Sequence, residues 1–123
     1  MYGLTMIKDY LDEILEGLKT FDVRSYPTNK KETIALVDSK TMKVYGTVEL
    51  IRCREISVKE YADWHRTGRW TNSFIQVDLN KKYYAYDFKN PRKIANPFKL
   101  GCEKSTWVII PKEIKLYYQE SLF

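Results

Sequence analysis

"EGLKTFDVRSYPTN", residues 16–29, sets a lysine, an aspartate, an arginine, a tyrosine, a proline and an asparagine in quick succession behind Gly17. A plain connection needs only a few turn-formers. Phe21 and Val23 alternate with Asp22 and Arg24 as in a strand, where residues two apart share a face. Asp22 and Arg24 therefore point the same way. Lys19 and Arg24 can each hold a phosphate or an electron-rich carbonyl, Arg through a planar fork and Lys as a mobile point charge. Asp22 can accept from a base amine or a ribose hydroxyl. Pro27 stiffens the turn, and Thr28 and Asn29 add short hydrogen-bonding groups. Two readings stay open on these residues alone. They form the polar wall of a pocket, or Asp22 and Arg24 pair to fix a loop with Lys19 in solvent.

Outward from this stretch, the 123-residue chain reads as one domain, 1–123, with no repeat or low-complexity linker. On the N-terminal side, "MIKDYLDEILEGLK" places Ile7, Leu11, Ile14, Leu15 and Leu18 at helical spacing, and Gly17 is a plausible breaker. On the other side, "TIALV" (33–37) and "KVYGTVELIRC" (43–53) read as strands, with Gly46 marking a bulge or a close backbone approach. "SVKEYADWHRTG" (57–68) reads as a helix with capping-box spacing between Ser57 and Glu60 and a stop at Gly68. "SFIQVDL" (73–79), "KKYYAYDF" (81–88) and "STWVII" (105–110) predict three more strands, and "PKEIKLYYQ" (111–119) predicts a closing helix with Pro111 in its first turn. Several strands with two or three helices give an α+β domain built on a curled sheet or small barrel.

The net charge of +5 favours an anionic partner without reaching the density of a DNA-coating protein. Two cysteines in no CxxC pair, with a single histidine, exclude a disulfide scaffold and a zinc site. Cys53 and Cys102 are expected to be free and buried. No metal or cofactor is called for. The sequence holds no secretory h-region and no apolar run of about 18 residues, so a cytoplasmic protein that does not span a membrane is the expectation. The oligomeric state is not legible.

The order "EGLKTFDVRSYPTN", "TIALVDSK", "YGTVELIRCREI", "YYAYDFKNP" and "STWVII" resembles the ASCH domain, a branch of the PUA-like superfamily. The resemblance runs from about residue 6 to residue 111 and is most specific in the G-x-K-T-x-[DE]-x-R-S-x-P-T stretch. It implies a small PUA-like curled β-barrel flanked by helices, with a cleft that binds RNA or another nucleic acid, or a modified nucleoside. It also implies that Ser39 and Lys40 form a polar pair at that cleft. One branch of the family hydrolyses acylated cytidine nucleosides with a lysine, a threonine and a glutamate. Here Lys19 keeps the lysine, Asp22 occupies the threonine position, and "RTGRWTNSF" (66–74) offers no carboxylate. A carboxylate cannot stand in for a hydroxyl nucleophile without a change of mechanism, so that activity does not transfer.

The resulting candidates for RNA or nucleotide contact are Lys19, Asp22, Arg24, Tyr26, Thr28, Asn29, Ser39, Lys40 and Tyr84. In "KKYYAYDF", Tyr84 and Tyr86 share one face, and Tyr83 and Ala85 the other. One face packs inward, and the other can present tyrosines to a base. Trp107, in an apolar strand, reads as structural. The alternative function is a hydrolase acting on RNA or a nucleoside in the same cleft, with Lys19 and His65 as catalytic groups beside Arg24 and Lys40. His65 equally suits a surface or half-buried position on its helix. Arg52 with Arg54, Lys81 with Lys82, and Arg92 with Lys93 each suit a solvated face, and together they suit a phosphate-tracking surface.

Overall fold

The computed structural model describes residues 1–66 and 78–119. In chain order the elements are β1 (Tyr2–Met6), α1 (Lys8–Leu15), β2 (Phe21–Arg24), β3 (Thr33–Asp38), β4 (Lys43–Ile56), α2 (Val58–Arg66), β5 (Tyr83–Lys99) and β6 (Trp107–Ile109). The strands form one mixed sheet in the order β2-β5-β4-β3-β1-β6. β1 runs parallel to β3, and every other ladder is antiparallel.

α1 buries Leu11, Ile14 and Leu15 on the sheet. Their 3-and-4 spacing puts them on one stripe. The helix stops where Gly17 takes φ 77°, a left-handed conformation that glycine accepts without a Cβ penalty. Leu15 lies over Gly46 of β4. A Cβ at Gly46 would come 2.5 Å from the carbonyl oxygen of Arg92 and 2.6 Å from a Leu15 methyl. The β4–β5 register also shifts between Val44 and Gly46. Both a bulge and a close approach therefore meet at this glycine. At α2 the Glu60 N–H donates to Ser57 Oγ (3.0 Å), as the capping-box spacing requires.

One core cluster, with Leu4, Leu11, Ile14, Ile34, Leu36, Leu50, Tyr86 and Phe88, fills the space between α1 and the sheet. A second gathers Val37, Val44, Ile94, Leu100, Val108 and Ile110. A third, Phe21, Ile56, Tyr61, Tyr83 and Ala85, lies under α2, where Tyr61 and Tyr83 stack with centroids 4.3 Å apart.

Three expectations need correction, and one strand was missed. The sheet curls but, among the described residues, does not close into a barrel, because no ladder joins its end strands β2 and β6. β1 was not legible. It is inserted between β3 and β6 with Gly3, Leu4, Thr5 and Met6 all buried, so it shows no alternation of apolar and polar residues. Residues 111–119 form no helix. Pro111 opens a single turn through the Ile114 N–H (3.2 Å), after which Leu116 and Tyr118 face inward at the period of two that suits an extended chain. This strap pairs with β5 through Ala95 N to Tyr117 O and Gln119 N to Lys93 O. The cysteines are free but not buried, Cys53 being intermediate and Cys102 exposed. The strand expected at 73–79 lies largely outside the described residues; Asp78 and Leu79 are exposed and not in a strand.

Candidate functional site

β2 pairs with β5 so that Asp22 faces Tyr86 and Arg24 faces Tyr84, while Phe21 and Val23 face Asp87 and Ala85. The polar and apolar residues of β2 thus fall on opposite faces of the sheet. Phe21 and Val23 join the cluster under α2. Asp22 and Arg24 turn the other way and meet. Arg24 Nε donates to Asp22 Oδ2 at 2.6 Å, Nη1 to Tyr26 Oη at 3.2 Å, and Nη2 to the Thr5 carbonyl at 2.8 Å. The pair is largely withdrawn from water, with side chains 18% and 7% exposed for Arg24 and Asp22. Burial works against the Arg24 charge, but Asp22 and Tyr26 outweigh it and raise its pKa. A guanidinium has five N–H groups, and the three engaged here fix its plane.

This pair lines a hollow of about 330 Å³ whose wall is Thr5, Met6, Ile7, Tyr10, Asp22, Val23, Arg24, Ser39 and Lys104. A second hollow of about 520 Å³ is lined by Tyr26, Pro27, Thr28, Asn29, Lys30 and Trp107. The Arg24–Tyr26 hydrogen bond connects a residue of the first to a residue of the second. Tyr26 is also held from behind, since Tyr86 Oη donates to its carbonyl at 2.7 Å. From Arg24 to Lys31, partly buried residues alternate with exposed ones, so Arg24, Tyr26, Thr28 and Lys30 form one inward row. The Lys30 ammonium sits 4.5 Å from the Tyr2 ring and 4.7 Å from the Trp107 ring.

The candidates of the sequence thus separate into groups. Asp22, Arg24 and Ser39 share the first hollow; Tyr26, Thr28 and Asn29 share the second. Lys19 lines neither. It is buried, with its ammonium 4.9 Å from the Tyr10 ring and 5.7 Å from the Phe21 ring, and it lines a separate hollow of about 310 Å³ with Ile14, Thr20, Phe88 and Asn90. Burial lowers its pKa, partly offset by Asp22 and Glu13. Lys40 is exposed and lines neither hollow, its backbone N–H being spent on Asp38 Oδ1 (3.0 Å). Tyr84 is partly buried against the core cluster that holds Tyr86. His65 belongs to α2, but its side chain lies outside the described positions.

The basic pairs do not gather at the hollows. Arg52 and Arg54 both donate to Asp87, Lys93 pairs with Glu16, and Arg92 lies over the Tyr118 ring. Sequence reading missed Tyr10, Lys30 and Lys104, and that Trp107, packed against the core as expected, also lines the second hollow. Lys30 was within reach, because it continues the odd-even row from Arg24. Lys104 was not, because only the fold brings it beside Ser39.

The ASCH domain family model matches residues 4–98. No curated protein matches the chain. The crystal structure of ASCH from Zymomonas mobilis is similar in fold, with a TM-score of 0.69 at 17% identity over 91% of this chain and 88% of that one. Two single-residue mutants of the same protein align with TM-scores of 0.69 at 18% identity, covering 91% of this chain and 91% and 89% of theirs.

Proposed function

This chain belongs to the ASCH domain family, a family generally associated with RNA binding, and on that premise we propose that it binds RNA, holding one nucleotide, plain or modified, in the Asp22–Arg24 hollow. The observation that carries the reading is the anchored guanidinium of Arg24. Three hydrogen bonds orient it beside a carboxylate at the wall of a cavity. A carboxylate next to a fixed fork offers an acceptor and donors side by side, which is what the edge of a nucleobase needs. The hollow lined by Tyr26, Lys30 and Trp107 then takes the neighbouring nucleotide, with an aromatic surface for a base and an ammonium for the phosphate. Ser39 and Lys104 close the first hollow on the other side. Thr28 and Asn29 contribute hydrogen-bonding groups to the second.

A hydrolase reading has less geometric support. It needs Lys19 at the reacting group beside Arg24, and Lys19 lines neither of the two hollows. The test is anisotropy of labelled single-stranded RNA across a salt series. Binding whose affinity drops on Arg24→Gln in a folded variant supports the reading, and failure of the wild-type chain to bind any RNA ends it. Appearance of RNA fragments that depend on Lys19 would replace it with the hydrolase.

A further inference from the structure

The first hollow holds a cation that its base-facing wall does not use. Asp22 and Arg24 pair at 2.6 Å and offset one another. Of the other lining residues, only Lys104 carries a formal charge. Lys104 is exposed and, among the described residues, makes no ion pair and no side-chain hydrogen bond. The half-buried Ser39, on the same wall, likewise keeps its Oγ free among those residues. Asp38, the carboxylate next to Ser39, is spent on Lys40 N and Thr41 Oγ1, at 3.0 Å and 2.7 Å. The hollow thus has one neutralised wall and one wall with an unspent positive charge.

Thr5 ties the two walls together. Its carbonyl accepts from Arg24 Nη2 at 2.8 Å. Its N–H donates to the Thr106 carbonyl at 3.0 Å, and its Oγ1 donates to the Ser105 carbonyl at 2.8 Å. The residue that fixes the guanidinium plane therefore also fixes the chain next to Lys104. An ammonium is a compact point charge that meets phosphate oxygens from several directions, and a serine hydroxyl can add a donor. Lys104 lies outside residues 4–98, so nothing in the family match dictates a cation there.

We infer that Lys104 and Ser39 bind the phosphate of the nucleotide whose base rests against Asp22 and Arg24, so that the hollow takes a nucleotide in preference to a nucleoside. Thr5 is the positioning residue of this clamp. The inference rests on the reading of the hollow as a nucleotide site, and it names which side of the hollow reads the phosphate.

The closing experiment measures a ratio of affinities in the full chain. The four ribonucleosides and their 3′- and 5′-monophosphates are titrated by calorimetry into the wild type, Lys104→Gln, Lys104→Arg, Thr5→Val, Thr5→Ser and Lys112→Gln. Lys112 is exposed and lines neither hollow. The wild type is expected to prefer a monophosphate to its nucleoside by about 5-fold, the upper range for a solvent-exposed charge pair. Lys104→Gln and Thr5→Val are expected to bring that ratio close to one, Lys104→Arg and Thr5→Ser to restore it, and Lys112→Gln to leave it unchanged. A general loss of packing lowers both affinities and does not move the ratio. In a salt series with single-stranded RNA, Lys104→Gln is expected to reduce the slope of log K against log salt by about 0.7, one phosphate contact. A monophosphate preference that disappears in Lys104→Gln supports the clamp even if the wild type binds no RNA, a result that would end the RNA reading alone. Equal affinity of the wild type for nucleosides and monophosphates, with an RNA slope that Lys104→Gln does not change, overturns the clamp and leaves RNA binding standing.

Discussion

Arg24 Nη2 donates to the carbonyl of Thr5 at 2.8 Å, joining β2, at one end of the strand order, to β1, next to the other end. The backbone ladder leaves the curled sheet open, and a side chain bridges the opening. The same guanidinium lines the first hollow, so its removal is expected to act on folding and on the proposed binding.

Arg24→Met is expected to destabilise the protein by about 3 kcal/mol, because it leaves Asp22 buried without its partner. Asp22→Asn/Arg24→Gln, which removes both charges, is expected to cost less than the sum of the single changes. Urea denaturation of the four proteins measures the coupling. Additive losses would show that Asp22 and Arg24 act independently. Arg24→Lys is not expected to rescue, since an ammonium cannot reach Asp22, Tyr26 and Thr5 in one plane.

Gly46→Ala is expected to cost about 1–3 kcal/mol through overpacking. The atom that the new methyl meets at 2.5 Å is the backbone oxygen of Arg92, which cannot swing aside as a side chain can. A melting temperature equal to wild type would contradict the close approach.

Asp38 anchors the turn into β4 through Lys40 N (3.0 Å) and Thr41 Oγ1 (2.7 Å). Burial pushes its pKa up, but these bonds and Lys8 prevail and hold it below the ordinary 3.8. A depressed carboxylate stabilises the fold above the unfolded value and loses that contribution as pH falls through the folded value. Asp38→Asn is therefore expected to be less stable than wild type at pH 7, by about 1–2 kcal/mol, and to approach it below pH 3.8. Melting curves across that range check the convergence.

Trp107→Ala is expected to weaken RNA binding by about 10- to 100-fold, the range of losing one base stack. Trp107→Phe keeps a ring against Tyr86, which stacks on Trp107 with centroids 6.5 Å apart, and is expected to retain most of the affinity. Equal losses in both, with unchanged melting, would remove stacking as the explanation.

The parts legible in the sequence were those written in local chemistry. Residues 21–24 announced a two-faced strand by strict alternation, and Ser57 with Glu60 announced a helix start. Gly46 announced a tight contact, because glycine inside a β-rich run has few other uses. The parts that were hidden depend on distant chain. β1 is covered on both faces and shows no period. Residues 111–119 carry good helix formers, but inward Leu116 and Tyr118 against the second core cluster outweigh that preference. In the candidate site, the Asp22–Arg24 contact followed from spacing two apart. The burial of Lys19 did not, because it depends on Tyr10 and Phe21 closing over a four-carbon stem.

The strap of residues 115–119 and strand β6 both lie beyond residue 98, where the family match stops. Between the matched region and the strap runs the exposed stretch Gly101–Ser105, which includes Lys104. A tryptic nick there would leave two pieces joined only by noncovalent pairing, as in a split protein. One piece would carry Asp22 and Arg24, and the other Trp107 and Tyr118, so reassembly of the halves would also report on whether the two hollows come together again.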